Sequence, residues 1–146
     1  MNLLRRQFIQ VTSLSALLGP GLAWAKTNRP AFDAVTLQEA LRGLDAAGAS
    51  ESRDIVLKVP DVADNAAAVP VDITSNIPNT ESISVLVDKN PHPLAARFNF
   101  APGVVPQVHL RLKMAQSSPV RVVVKAGGKT WQLSREVKVT LGGCGA

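Results

Sequence analysis

Two hydrophobic periods divide the chain. Leu37, Leu41 and Leu44 recur at i, i+4 and i+7, which predicts one helix over residues 33–47 with a leucine stripe. Asp33 stands where a side chain can cap its first turn, and Gly48 where a helix can end. The opposite face mixes Gln38, Glu39, Arg42 and Asp45, so the stripe is expected to pack on the following domain. A membrane-surface helix would carry a basic face instead. From residue 54 the period falls to two. Ile55, Leu57 and Val59 form one set, Val69, Val71 and Ile73 a second, and Ile83, Val85 and Val87 a third. A weaker set spans Ala95 to Phe100, and Val108, Leu110, Leu112 and Met114 alternate with Gln107, His109, Arg111 and Lys113. Val120, Val122 and Val124 follow, then Trp131, Leu133, Val137, Val139 and Leu141. Gly127-Gly128 between the last two sets signals a hairpin. Arg135 interrupts the final alternation and is expected to mark a bulge or an edge.

Seven short strands with Pro- and Gly-rich connections predict an all-β fold, an immunoglobulin-like antiparallel sandwich with one N-terminal helix. No Cys–Trp–Cys core signature is present, so the label concerns architecture only. Residues 64–68 read as a small-residue connector. Asn90-Pro91-His92-Pro93 reads as a loop or corner, because two prolines remove ladder donors.

The N-terminus reads as an address. Arg5-Arg6 precedes a modest apolar stretch, and Ala23-Trp24-Ala25 has the small-x-small form of a cleavage site. Arg5-Arg6-Gln7-Phe8-Ile9 resembles a bacterial twin-arginine signal, although Leu4 and Gln10 depart from the usual neighbours; an ordinary secretory signal is the other reading. Three segments are thus expected: a signal over 1–25, a helix-plus-sandwich domain over 26–141, and a terminal arm over 142–146. The mature chain would begin near Lys26 and work in the periplasm, with no lipid anchor, since no cysteine follows the apolar stretch.

Composition and charge narrow the function. Of 146 residues 4% are aromatic and none is tyrosine, which argues against a stacking platform for single-stranded nucleic acid. Removing residues 1–25 leaves 14 basic and 11 acidic residues, net +3. Residues 107–146 hold seven basic residues against one acidic. That third could attract anions or acidic partners, or it could simply form the wet faces of strands. Nucleic acid is not an expected partner in the periplasm. One cysteine excludes an internal disulfide, a CxxC pair and a cysteine-rich zinc site. His92 has no companion at ligand spacing, and His109 is expected on the polar face of its strand. Asp61, Asp64 and Asp72 read as lying in or beside loops, with no acid/base spacing. There is no nucleophile elbow and no phosphate loop. Neither an enzyme's machinery nor a resident cofactor or metal is visible.

The exception is Leu141-Gly142-Gly143-Cys144-Gly145-Ala146. Gly142, Gly143 and Gly145 remove bulk around the one thiol, and three extended residues past Leu141 reach about 10 Å. Such a tip is expected to be mobile and thin enough to enter a pocket in another protein. A buried structural role does not suit the position. The residues alone leave three uses open: a working thiol, a disulfide linking two copies of a periplasmic interaction module, and a thiol without a task. A disulfide reductase or isomerase lacks its resolving cysteine. With no acid or histidine beside it in sequence, only a few per cent of the thiol would be thiolate at pH 7. Strong activation would have to come from a partner's site.

The Gly142-Gly143-Cys144-Gly145 terminus, behind a twin-arginine-like signal, resembles the SoxY family, the sulfur-carrier subunits of the bacterial thiosulfate-oxidising Sox system. The helix around Leu37 to Leu44, Val69-Pro70-Val71, Asn90-Pro91 and Val137-Lys138-Val139-Thr140 fit the family as well. The family usually ends on glycine, where this chain has Ala146. The resemblance implies a carrier, not an enzyme, with sulfur intermediates covalently attached to Cys144. It implies a SoxZ-like sandwich subunit as partner. It also implies a haem-containing cytochrome that loads thiosulfate, a metal-dependent hydrolase that releases sulfate, and a sulfane-oxidising enzyme.

Overall fold

In a computed structural model, residues 29–140 are described. Pro30 takes the first helical position of α1 (Pro30–Asp33), where its fixed φ and missing N–H do no harm. A second helix, α2, spans Leu37–Gly43. The single helix expected over 33–47 is therefore two, and Asp33 closes the first instead of capping the second. Thr36 is the cap: its hydroxyl accepts from the Glu39 N–H at 3.2 Å, while Glu39 Oε2 accepts from the Val35 N–H at 3.3 Å. A threonine side chain competing for backbone groups, next to β-branched Val35, breaks the helix at this point. Gly48 is not the stop either. Asp45 takes the left-handed conformation at φ 56, and the Ala46 N–H reaches Leu41 O at 2.7 Å while the Asp45 N–H reaches Arg42 O at 3.0 Å. These are the two bonds of a Schellman ending, with aspartate in the place glycine usually takes.

Nine strands follow among the described residues: β1 (Ser50–Glu51), β2 (Ile55–Lys58), β3 (Val62–Ala63), β4 (Val69–Ser75), β5 (Thr80–Val87), β6 (Leu94–Asn99), β7 (Gln107–Leu112), β8 (Ser118–Ala126) and β9 (Lys129–Val139). The seven longer ones are those the alternation predicts; β1 and β3 are two residues each and too short to show a period. One sheet runs β1-β9-β8-β5-β6, with β3 also on β9; the other is β2-β4-β7. The first 14 residues of this region weave between sheets: β1 lies on β9, β2 crosses to β4, and β3 returns to β9. Gly127 and Gly128 both have positive φ, 55 and 72, as a two-residue hairpin loop with the strand twist requires. Leu141 and the residues after it lie outside the described residues.

The core lies between the sheets. Ile83, Val85, Val87, Val120, Val122, Val124 and Val137 face Leu57, Val69, Val71, Ile73 and Leu112, all buried. Each such side chain contributes roughly 1.5–3 kcal/mol on leaving water. The large sheet is also covered on its outer face. Leu86, Leu94 and Val123 pack there against Ala31, Ala34, Ala40, Leu44 and Ala46 of the helical layer. That is why β5 reads Val85-Leu86-Val87 and β8 reads Val122-Val123-Val124, without polar interruption: both faces are dry.

Arg135 marks no bulge. β8 and β9 pair in register from Ala126↔Lys129 to Ser118↔Val137, with Val120 opposite Arg135. Register shifts occur instead in β5, between Val85 and Leu86 and between Thr80 and Ser82. The edge expectation fits in part: between its pairings with β1 at Gln132 and with β3 at Lys138, the outer side of β9 has no strand partner among the described residues, and Arg135 is exposed there. A charge at an open edge discourages pairing with foreign strands.

The helical layer is close-fitting at one point. A Cβ on Gly43 would lie 2.9 Å from the N, Cα and Cβ of Ala31. Gly43→Ala therefore forces α1 away from α2. The helix-propensity gain of about 1 kcal/mol is outweighed by an overpacking cost of about 1–3 kcal/mol. The urea midpoint should fall, with unchanged slope; a higher midpoint would show that α1 can shift freely.

Candidate functional site

Cys144, Gly142, Gly143 and Gly145 lie outside the described residues, as does the signal expected over 1–25. What the structure places is the platform from which they depart. Val137 is fully buried and is the last β9 residue paired with β8, opposite Ser118. Beyond it the strand is held by three loops.

On its outer side, the Lys138 N–H donates to Asp61 O at 2.9 Å and the Thr140 N–H to Ala63 O at 3.1 Å. These extend the short parallel pairing of β3, Val62↔Lys138 and Ala63↔Val139. On its inner side no β8 backbone remains to pair with Val139. The Ser117 hydroxyl takes that role, accepting from the Val139 N–H at 3.0 Å and lying 3.5 Å from Val139 O.

Ser117 is itself held. The Ser118 hydroxyl, fully buried, accepts from the Lys89 N–H at 3.0 Å and donates to Pro119 O. Asn90 bridges the next residues from the other loop: its Nδ2 donates to Lys113 O and its Oδ1 accepts from the Ala115 N–H, both at 2.9 Å. The Met114 N–H donates to Ala66 O at 2.8 Å, so the 64–68 connector joins the same assembly. Three loops, 61–68, 88–93 and 113–118, thus form a collar around the end of β9. An Asn-Pro corner is where this begins, because asparagine can hydrogen-bond neighbouring backbone and the proline prevents a strand from continuing.

A second polar group ties the collar to the helical layer. Arg121 donates to both oxygens of Asp88, from Nε at 3.2 Å and from Nη2 at 2.8 Å, and from Nη1 to Gln132 Oε1 at 2.8 Å. Gln132 Nε2 then donates to Ala49 O at 2.9 Å. The Arg121 and Asp88 side chains are only 19% and 11% exposed. The basic C-terminal third is therefore not one patch. Arg121 is spent on Asp88. Lys129 follows the hairpin at the far end, and Arg111, Lys113 and Lys138 project from different strands or loops, all exposed. Wet strand faces describe it better than an anion site.

The other candidates are dispersed. His109 is exposed, as expected, and Asp72 is not in a loop but directly opposite it in mid β4, with Nδ1 and Oδ1 2.7 Å apart. His92 lies in the proline loop, its Nδ1 3.3 Å from Ala34 O. Asp61 and Asp64 are exposed near the collar. Among the described residues no group of three or more His, Cys, Asp or Glu could hold a metal, and no helix is long and apolar enough to cross a membrane. An open groove of 540 Å³ lies at the end of the sandwich away from the collar, between loops 76–79 and 101–106. Sequence reasoning nominates Cys144, which lies outside the described residues, and misses Ser117, Asn90 and Arg121. The signals for them are faint: an Asn-Pro dipeptide, a Ser-Ser-Pro strand start and one arginine in a valine-rich strand.

Comparison with known proteins places this geometry. A family model described as "Sulfur oxidation protein SoxY" matches residues 40–144. Among solved structures, the sulfur carrier protein SoxY from Chlorobium limicola f thiosulfatophilum is 39% identical, with a TM-score of 0.66 over 75% of this chain and 96% of that one. The superoxide reductase (neelaredoxin) from Ignicoccus hospitalis is 18% identical, with a TM-score of 0.52 over 60% of this chain and 81% of that one, a likeness of fold alone. No curated protein sequence matches.

Proposed function

The chain belongs to the SoxY family, and from that premise we propose that it is a periplasmic carrier that holds thiosulfate-derived sulfur on Cys144 for the enzymes of the Sox system. The observation that carries this reading is the extent of the family match, which runs to Cys144 itself. The collar supports it. Thr140 is the last described residue, and Cys144 is the fourth residue past it, so covalent geometry keeps the thiol within about 14 Å of the collar. Gly142, Gly143 and Gly145 leave the immediate neighbours of the thiol without side-chain bulk, which suits entry into narrow sites.

The chemistry suits a tether. Loading joins the Cys144 thiolate to the sulfane sulfur of thiosulfate, forming one S–S bond and releasing two electrons to a haem-containing cytochrome. Water then attacks the terminal sulfonate sulfur in a metal-dependent hydrolase, releasing sulfate and two protons and leaving a persulfide on Cys144. A sulfane-oxidising enzyme takes over that persulfide. This chain supplies the thiol and the tether, and the partners supply redox and hydrolytic groups. Covalent attachment keeps the intermediate at high local concentration between steps. A SoxZ-like sandwich subunit completes the carrier, and a twin-arginine signal over 1–25 takes it across the membrane.

The test is the intact mass of the protein taken from the periplasm of cells grown on thiosulfate, before and after reduction. A sulfur or thiosulfonate adduct on Cys144, released by reductant, is expected. A disulfide-linked dimer as the sole modified form would favour the interaction module instead.

A further inference from the structure

We propose that Ser117 is a positioning residue for the carrier segment: its hydroxyl, braced by the Asn90 loop, fixes the point at which the chain leaves the sandwich for Cys144. The inference rests on the reading of Cys144 as the carrier thiol. Backbone pairing with β8 ends at Val137, three residues short of Thr140. A two-residue parallel strand, β3, is all the backbone that flanks the remainder. The third support is the Ser117 side chain, which bonds Val139 at 3.0 Å in place of a missing strand rung. Ser117 makes this contact from a segment that Asn90 holds through Lys113 and Ala115 and that Ser118 holds through Lys89.

Without the hydroxyl, the Val139 N–H loses its partner, and only the two β3 bonds, Lys138 N–H to Asp61 O and Thr140 N–H to Ala63 O, oppose opening of the strand end back to Val137, which burial holds in place. When those two bonds open, the chain between the last held residue and the thiol grows from four residues, 141–144, to seven, 138–144. Its maximum reach rises from about 14 to about 25 Å. Effective concentration at a partner's site falls as roughly the −3/2 power of tether length, which is about twofold here. The departure direction set by β3 and Ser117 is lost as well.

The test compares Ser117→Val with Ser117→Thr, which match in shape and differ in the hydroxyl, and adds Ser117→Ala in case the bulk disturbs folding. Amide exchange is read at Lys138, Val139 and Thr140. Thiosulfate-dependent sulfate release is read with the reconstituted partner enzymes. The Val and Ala variants should exchange these amides about tenfold faster, as for one lost hydrogen bond. Their kcat/KM as carriers should fall about two- to threefold. The Thr variant should behave as wild type in both. Unchanged exchange in the Val and Ala variants overturns the anchor, and faster exchange with unchanged kcat/KM overturns the positioning role. A wild-type protein that takes up no sulfur fails the carrier reading, and the positioning role with it, whatever the exchange rates.

Discussion

Replacing Cys144 by serine is expected to leave the unfolding midpoint unchanged and to reduce thiosulfate-dependent sulfate release to background in a reconstituted system. The first half follows from position. Cys144 lies four residues past Thr140, and the core residues that hold the sandwich, from Ile55 to Val137, are all elsewhere. The second half follows from chemistry. A thiol supplies some thiolate at neutral pH, and under the carrier proposal its sulfur forms the S–S bond that would retain the cargo. A serine hydroxyl supplies neither. Deleting residues 142–146 should have the same two effects, and the adduct expected in the intact mass should be absent from both variants. Normal turnover by either variant would end the carrier proposal.

Arg121→Met should lower stability by about 3 kcal/mol, the cost of leaving a largely buried charge without its partner. For a domain of this size that is a fall in Tm of about 10 °C. Asp88 is 11% exposed and receives both of its strong donors from Arg121, so the carboxylate has no comparable partner to turn to. Gln132 Oε1 loses its donor at the same time. The second variant decides the cause: Arg121→Met combined with Asp88→Leu should recover most of the loss, because no buried charge remains. A single-variant loss below about 1 kcal/mol would mean that the pair behaves as a solvent-exposed one. Since the bond network reaches Ala49, hydrogen exchange in the helical layer should also rise.

The two results separate what local sequence can carry from what it cannot. Ile55, Leu57, Val71, Ile73, Val122 and Val124 announce themselves because a strand with one dry face repeats every two residues, and a glycine pair at 127 and 128 names its own turn. The helix boundaries were less legible. Leucine spacing alone runs through Thr36, whereas the cap competes for the backbone and wins. The apolar runs at Val85-Leu86-Val87 and Val122-Val123-Val124 did contain a second message, that the sheet is covered on both faces, but a period-two reading passes over it. Arg135 looks like a bulge in sequence and is a charge at an open strip of edge.

By itself, the sequence determined the sandwich, its seven principal strands and the candidate thiol, because alternation, turn chemistry and a lone cysteine among glycines are properties of neighbouring residues. Tertiary structure alone decided the rest. Asn90 reaches Lys113, Ser117 reaches Val139 and Arg121 reaches Asp88 across 22 to 33 positions of chain. Such bonds depend on which loops the sheet topology brings to the end of β9, and a polar side chain carries no mark of a partner so far along the sequence.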